Sequence, residues 1–77
     1  MKIIPFGKLT DILPPEEVIF DPISGWFDLQ KYMYNKYPAL EDEKFSVAVN
    51  LSIKDKTKDF PIAEDDEIFL MPPFSGG

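Results

Sequence analysis

Two glycines, Gly76 and Gly77, end the printed sequence and follow a short segment that contains two consecutive prolines. Because glycine has no side chain, a terminal carboxylate on two glycines sits on bare backbone that can enter a narrow channel in another protein. A carboxylate is a poor electrophile, but as an acyl-adenylate it accepts nucleophiles such as a sulfur donor. The last carboxylate is therefore a candidate reactive group, and the competing interpretation is an inert, frayed terminus.

The chain has no cysteine and no histidine among its 77 residues. This composition removes thiolate nucleophiles, disulfides, imidazole bases and most zinc or copper sites. The four carboxylates of residues 64–67 match no cation-binding loop, and we interpret them as a charged turn. We therefore expect no metal, no bound cofactor and no autonomous catalysis, and a chain of this kind that handles sulfur can hold it only on its terminal carboxylate.

The net charge is −6, from 8 basic and 14 acidic residues. Such a chain repels phosphate backbones and is attracted to a basic groove on a protein partner. No apolar run approaches the length of a membrane span, and the N-terminal residues lack a signal-peptide pattern. We expect one cytoplasmic domain over residues 1–73, with a flexible reactive tail over residues 74–77, that binds neither nucleic acid nor membrane.

The tail needs a scaffold, and the clearest predicted element of that scaffold is an amphipathic helix. Its apolar stripe consists of Trp26, Leu29, Met33 and Tyr37. Ser24 is the predicted N-cap, Asp28 lies where the helix dipole favours an anion, and Pro38 ends the helix.

Strand patterns occupy four segments: residues 2–6, 16–20, 45–50 and 67–71. The first two predict an opening hairpin, with a short helical turn over residues 8–13 between them. Pro5 must lie at the end of its strand or turn its missing N–H away from a ladder. Lys54, Lys56 and Lys58 indicate an exposed loop or an edge strand, where lysine blocks association between sheet edges.

The last predicted strand is apolar on both faces. Ile68 and Leu70 point to one side, and Phe69 and Met71 point to the other. A single helix covers only one face of a small sheet. We therefore predict that Phe69, Met71 and Pro73, with a first-strand residue beside them, form a protein-binding surface that leads to the tail.

The order of these elements is that of the β-grasp fold, an α+β fold with a mixed sheet of four to five strands and one main crossing helix. Five features together carry a family resemblance: Phe-Gly-Lys-Leu at residues 6–9, the helix stripe from Leu29 to Met33, Val-Ala-Val-Asn at 47–50, the acidic turn before Glu67, and Pro-Pro-Phe-Ser-Gly-Gly at 72–77. With these segments, the chain resembles the small subunit of molybdopterin synthase, a ubiquitin-like sulfur carrier.

This resemblance implies a mechanism centred on Gly77, supported by Gly76. An ATP-dependent E1-like enzyme would adenylate the terminal carboxylate, which would then become a thiocarboxylate. The tail, with Phe74 and Ser75 as partner-binding residues, would enter the large subunit of the synthase. There it would donate sulfur to a cyclic pyranopterin precursor in molybdenum cofactor biosynthesis. ATP would be used by the activating partner and not bound by this chain.

Three other interpretations share parts of this pattern. A sulfur carrier of the thiazole pathway has the same fold and the same diglycine, although the two prolines before the tail favour the molybdopterin branch. A ubiquitin-like modifier would form an isopeptide with a lysine of another protein. The third interpretation is a β-grasp interaction module whose tail is inert.

Overall fold

The computed structural model describes residues 1–73 of the protein, so the predictions for Phe74, Ser75, Gly76 and Gly77 lie outside the described residues. The strands are β1 (Lys2–Pro5), β2 (Glu17–Val18), β3 (Ser46–Val49), β4 (Ser52–Lys54) and β5 (Glu67–Met71). One α-helix, α1, spans Trp26–Lys36, and 3₁₀-helices cover Gly7–Asp11 and Pro38–Asp42.

The strands form a single mixed sheet with the order β2-β1-β5-β3-β4. The first and last strands are parallel neighbours at its centre, with Ile3 opposite Ile68. The other neighbouring pairs are antiparallel, and Ala48 of β3 lies opposite Phe69 of β5. This topology confirms the predicted β-grasp fold, including its opening hairpin and its crossing helix.

Pro5 fits at the end of β1 because no strand needs its N–H. Lys2 and Phe6 donate their backbone N–H groups to the carbonyls of Asp66 and Leu70, at 3.1 and 2.9 Å. Alternation along the strand therefore turns the nitrogen of Pro5 toward β2. Since β2 pairs only with the first two residues of β1, the missing donor falls beyond its end, as the sequence required.

The hydrophobic core lies between the sheet and α1. Its buried members are Ile3, Leu9, Leu13, Ile19, Trp26, Leu29, Met33, Leu40, Phe45, Val47, Val49, Ile62, Ile68 and Leu70. Three of the four predicted stripe residues of the helix are fully buried, and Tyr37 packs against the core as the C-cap residue. The periodicity of the sequence therefore identified the core-facing side of α1 correctly.

The prediction that Ser24 caps the helix is wrong. The N-cap residue is Gly25, and it makes no side-chain cap. The first turn is capped instead by a distant loop, because Asp59 Oδ1 accepts from the N–H of Phe27 at 3.0 Å and the Phe60 carbonyl accepts from that of Trp26 at 2.9 Å.

Gly25 permits this close approach of the loop. A Cβ atom at this position would lie 3.0 Å from the Phe60 carbonyl oxygen. The Phe60 ring stacks on the Trp26 indole, with centroids 5.5 Å apart. The indole also donates to the carbonyl of Lys56 at 2.8 Å. The loop and the start of α1 are therefore one packed unit.

A charged side chain, Glu17, lies on the helix-covered side of the sheet and is only 8% exposed. Its carboxylate accepts hydrogen bonds from the hydroxyls of Tyr37 and Tyr32 and from Lys36 Nζ, the last at 2.9 Å. Burial acts to raise the pKa of Glu17, but the hydrogen bonds from Tyr37, Lys36 and Tyr32 outweigh it, so the pKa is lowered. The cluster ties β2 to the C-terminal part of α1.

Other boundaries differ from the predicted ones. β2 is only two residues long instead of covering residues 16–20, and Phe20 is 90% exposed. The turn predicted at residues 8–13 is a 3₁₀-helix over Gly7–Asp11. A second 3₁₀-helix, Pro38–Asp42, was not predicted, although it buries Leu40. The lysine-containing segment includes the edge strand β4, as predicted.

The acidic segment before β5 is a turn that organises the start of that strand. Asp66 accepts hydrogen bonds from the N–H of Ala63 at 2.7 Å and from the amide of Asn50 at 3.1 Å. Asn50 has a φ of 57° at the β3–β4 hairpin, and its side-chain oxygen accepts from the N–H of Glu67 at 3.1 Å.

None of the helices in the described part of the chain is long and apolar enough to cross a membrane.

Candidate partner-binding site

The two faces of β5 have different surroundings. Ile68 and Leu70 point toward α1 and are fully buried. Phe69 and Met71 point to the opposite face and remain partly exposed. Since α1 packs on the other side, the described residues place no helix over Phe69 and Met71, as the alternation of the sequence predicted.

An apolar groove of about 290 Å³ lies on this open face. Its lining residues are Phe6, Ala48, Asn50, Leu51, Ile53, Phe69 and Met71. They come from β3, β4, β5, the turn between β3 and β4, and the residue directly after β1. The groove therefore depends on the assembled sheet and belongs to no single segment of sequence.

The register of the sheet explains the shape of the groove. Ala48 lies opposite Phe69 on one side and opposite Ile53 on the other. A small residue between two large ones leaves a depression, because alanine fills little of the space above the sheet. The floor of the groove is therefore at Ala48, and its walls are the larger side chains on either side.

Phe6 and Phe69 form one wall of the groove. Their rings stack with centroids 5.9 Å apart and an interplanar angle of 29°. Phe6 is held by its backbone N–H, which donates to the carbonyl of Leu70 at 2.9 Å. Stacked aromatic rings supply a large apolar area at low entropic cost, which suits a protein contact.

The chain leaves the sheet beside this wall. Pro72 and Pro73 follow β5 and are exposed, and neither can donate a backbone hydrogen bond to extend the strand. Pro72 packs against Gly7, which has a φ of +61°. A Cβ atom on Gly7 would lie 2.7 Å from Pro72 Cγ, so the absence of a side chain allows this contact.

The structure brings together two of the predicted partner-binding residues, Phe69 and Met71, in the groove. Pro73 is exposed just after the groove and does not line it. The expected neighbour near the first strand is Phe6, which is 44% exposed. Phe74 and Ser75, and the predicted carriers Gly76 and Gly77, lie outside the described residues.

Sequence reasoning missed Leu51 and Ile53 as groove residues. They are 96% and 56% exposed. The segment also contains Lys54, Lys56 and Lys58, which favoured its interpretation as a solvent-exposed edge. Two large apolar residues at alternate positions in that segment were a signal for the open face, because side chains two apart on a strand share a face.

The groove carries no charge of its own. Of its described lining residues, only Asn50 is polar, and none is ionisable. Within residues 1–73, no group of three or more His, Cys, Asp and Glu side chains is placed to hold a metal ion. The groove is therefore suited to binding an apolar protein surface.

Comparisons with known proteins extend this picture. Residues 4–77 match the sequence model of the ThiS family, so the match runs through Gly77. The chain is also 31% identical, over 81 aligned residues, to a Dictyostelium discoideum protein named molybdopterin synthase sulfur carrier subunit. That alignment covers 99% of this chain and 94% of the relative.

Proposed function

The chain belongs to the ThiS family, and from this premise we propose that it is the sulfur carrier subunit of a molybdopterin synthase. The similarity to the Dictyostelium protein along nearly the whole of both chains supports the molybdopterin branch of the family. In this role the chain is a cytoplasmic small subunit that supplies sulfur and leaves the remaining chemistry to its partners.

The proposed reaction takes place at the carboxylate of Gly77, with Gly76 giving it an unobstructed approach. ATP and the carboxylate form an acyl-adenylate and release pyrophosphate on an E1-like activating enzyme. Hydrosulfide then attacks the carbonyl carbon, AMP leaves, and a thiocarboxylate remains. Its sulfur bonds to a carbon of the cyclic pyranopterin precursor as an oxygen substituent of that carbon leaves, and water hydrolyses the resulting thioester, which returns the carboxylate and leaves the sulfur on the pterin.

One observation carries this proposal on the structural side: the apolar groove lies where the chain departs toward its two terminal glycines. Phe69 and Met71 line the groove, and Pro72 follows at once. We propose that a partner that covers the groove also binds the residues after Pro73. We propose that the large subunit and the activating enzyme each use this surface, with Phe74 and Ser75 as further contacts.

Composition supports the same assignment. The chain has no cysteine on which to carry a persulfide. Sulfur handling by such a chain requires a different covalent site, and a C-terminal thiocarboxylate meets that need.

The direct test is the intact mass of the full chain after incubation with ATP, sulfide and the activating enzyme encoded in the same genome. We expect one terminal oxygen to be replaced by sulfur. The variant that lacks Gly77 serves as the matched control, since it keeps all described residues. No mass change in the full chain, or the same change in the shortened chain, would contradict the proposal.

A second assay separates the branches of the family. The thiocarboxylate form is mixed with the molybdopterin synthase large subunit and the pyranopterin precursor, and the dithiolene product is measured. In parallel, the gene is tested for rescue of a thiamine-requiring strain. Rescue of thiamine synthesis without dithiolene formation would assign the chain to the thiazole pathway. Covalent adducts with lysines of other proteins would instead indicate a ubiquitin-like modifier.

A further inference from the structure

A second cleft, of about 590 Å³, opens at the other end of the sheet. Its lining residues are Met1, Val18, Ile19, Phe20, Asp21, Pro22, Ile23, Ser24 and Glu64. The register places it away from the C-terminal end of β5, because Lys2 lies opposite Glu67 at the beginning of that strand. The cleft is therefore separate from the groove beside Phe69 and Met71.

The cleft has an exposed apolar wall. Phe20 is 90% exposed and Val18 is 45% exposed. Pro22 is also exposed, and Ile23 is partly buried. A phenylalanine left almost wholly in water forgoes most of the free energy that its burial would provide. Covering this wall would recover that free energy.

The backbone beside this wall has a free edge. β2 is the outermost strand on its side of the sheet. Ile19 turns its backbone groups toward β1, since its N–H donates to the Met1 carbonyl at 2.9 Å and its carbonyl accepts from the Met1 ammonium at 3.2 Å. Val18 lies in β2 directly before Ile19, so alternation directs the backbone groups of Val18 outward. An extended segment can pair with such an edge.

The charges around the cleft indicate which kind of partner segment can bind there. Asp21 and Glu64 line the cleft, and neither takes part in a salt bridge within residues 1–73. The ammonium of Met1 is the one cationic group among the described lining residues, and it is hydrogen-bonded to Ile19. A second copy of this chain would bring its own charge of −6 to an acidic rim. Nucleic acid and anionic lipid are repelled for the same reason.

We propose that this cleft and the outer edge of β2 form a second docking surface, for an extended segment of a partner protein in which apolar and basic side chains alternate. The apolar side chains pack on Val18 and Phe20, and the basic ones lie near Asp21 and Glu64. Because this surface shares no lining residue with the groove, a partner can hold the protein here while the groove is occupied.

The test uses the full chain labelled with ¹⁵N and a short capped peptide in which valine alternates with arginine. We expect saturable shifts of the amide signals of Val18, Phe20, Asp21 and Glu64, and smaller shifts for Phe69 and Met71. The same peptide with glutamate in place of arginine should bind more weakly. Equal binding of both peptides, shifts centred on the groove, or no saturable shift at millimolar peptide would overturn the proposal.

Variants at exposed positions sharpen the test without threatening the fold. Phe20→Ser should weaken peptide binding about tenfold, as expected for the loss of an aromatic anchor. Leu51→Ser is the matched control, because Leu51 is 96% exposed but lies at the other edge of the sheet. The double variant Asp21→Asn with Glu64→Gln should weaken binding about threefold and reduce its salt dependence. An unchanged affinity of Phe20→Ser would contradict the proposed site.

Discussion

The two faces of the sheet use similar residues for different purposes. On β5, Ile68 and Leu70 are fully buried beneath α1, while Phe69 and Met71 of the same strand line an open groove. All four side chains are large and apolar. The difference between core and binding surface therefore arises from what lies over each face and not from the residue types.

The comparison also separates the sources of stability and of function. The covered face contains most of the buried apolar surface and so accounts for most of the folding free energy. The open face contributes less to folding and leaves its apolar area available for a partner. Substitutions on the two faces should therefore change different measured quantities.

The largest predicted effect is on the free energy of unfolding, and it compares substitutions at two adjacent residues of β5, Leu70 and Met71. Leu70→Ala removes a fully buried side chain and should lower the free energy of unfolding by about 3 kcal/mol. Met71→Ala removes a partly exposed side chain and should cost about 1 kcal/mol or less. Urea unfolding monitored by Trp26 fluorescence measures both. Similar losses would show that the open face is as important for folding as the covered one.

The second predicted effect is on the affinity for a partner protein, and it compares two phenylalanines of similar exposure. Phe6 is 44% exposed in the groove, and Phe27 is 46% exposed on α1. Phe6→Ser should raise the Kd for the proposed large-subunit partner about thirtyfold, because it removes an aromatic wall of the groove. Phe27→Ser should leave the Kd unchanged. Titration calorimetry tests this, and a greater loss with Phe27→Ser would move the interface to the helix.

A smaller effect is predicted for the pH dependence of stability, and it involves Glu17, the buried charged residue on the face covered by α1. Its folded-state pKa lies below the ordinary value of 4.5, so its charged form stabilises the fold above about pH 4.5. That contribution is lost as the pH falls through the lowered folded-state pKa. Glu17→Gln should lower the free energy of unfolding by about 1 kcal/mol at neutral pH. It should also make the free energy of unfolding fall less steeply as the pH becomes acidic.

The matched control for this pH dependence is Glu16→Gln. Glu16 is an exposed carboxylate whose contact with Lys2 is 3.7 Å long. Exposed ion pairs of this kind contribute little, so its removal should leave the acid limb almost unchanged. Free energies of unfolding measured from neutral to acidic pH provide the comparison. If both variants reduced the pH dependence of the free energy of unfolding equally, the buried cluster around Glu17 would be excluded as its cause.

The smallest effect on stability is expected at the exposed end of the groove. Leu51 is 96% exposed, so Leu51→Ser should change the free energy of unfolding by no more than about 0.5 kcal/mol. Its effect on the Kd for the proposed large-subunit partner should be smaller than that of Phe6→Ser, since Leu51 lies at the rim of the groove. A large loss of stability would show that this hairpin is packed more tightly than its exposure indicates.

The sequence predicted those features that depend on local periodicity. The helical spacing of Trp26, Leu29 and Met33 identified the buried side of α1, and the alternation along β5 identified Phe69 and Met71 as the open-face residues. Each of these patterns is contained within one segment. The β-grasp topology followed from the order of the elements together with the family resemblance.

Two features that depend on contacts between distant residues were missed or only partly predicted. The helix start moved from Ser24 to Gly25 because its capping groups come from Asp59 and Phe60, which no local pattern connects to it. The groove was only partly predicted for the same reason. Ala48 becomes its floor through the pairing of three strands, which is set by their register and not by any one of them.

The central position of the parallel pair β1 and β5 has a consequence for synthesis on the ribosome. β1 is made first and β5 last, yet each is the other's neighbour in the middle of the sheet. A nascent chain cannot complete its sheet until Met71 has emerged, and contacts this distant in sequence form slowly. Until then the growing chain leaves apolar strands such as β3 without their final partner, so late translation is the stage at which we expect chaperones to be needed.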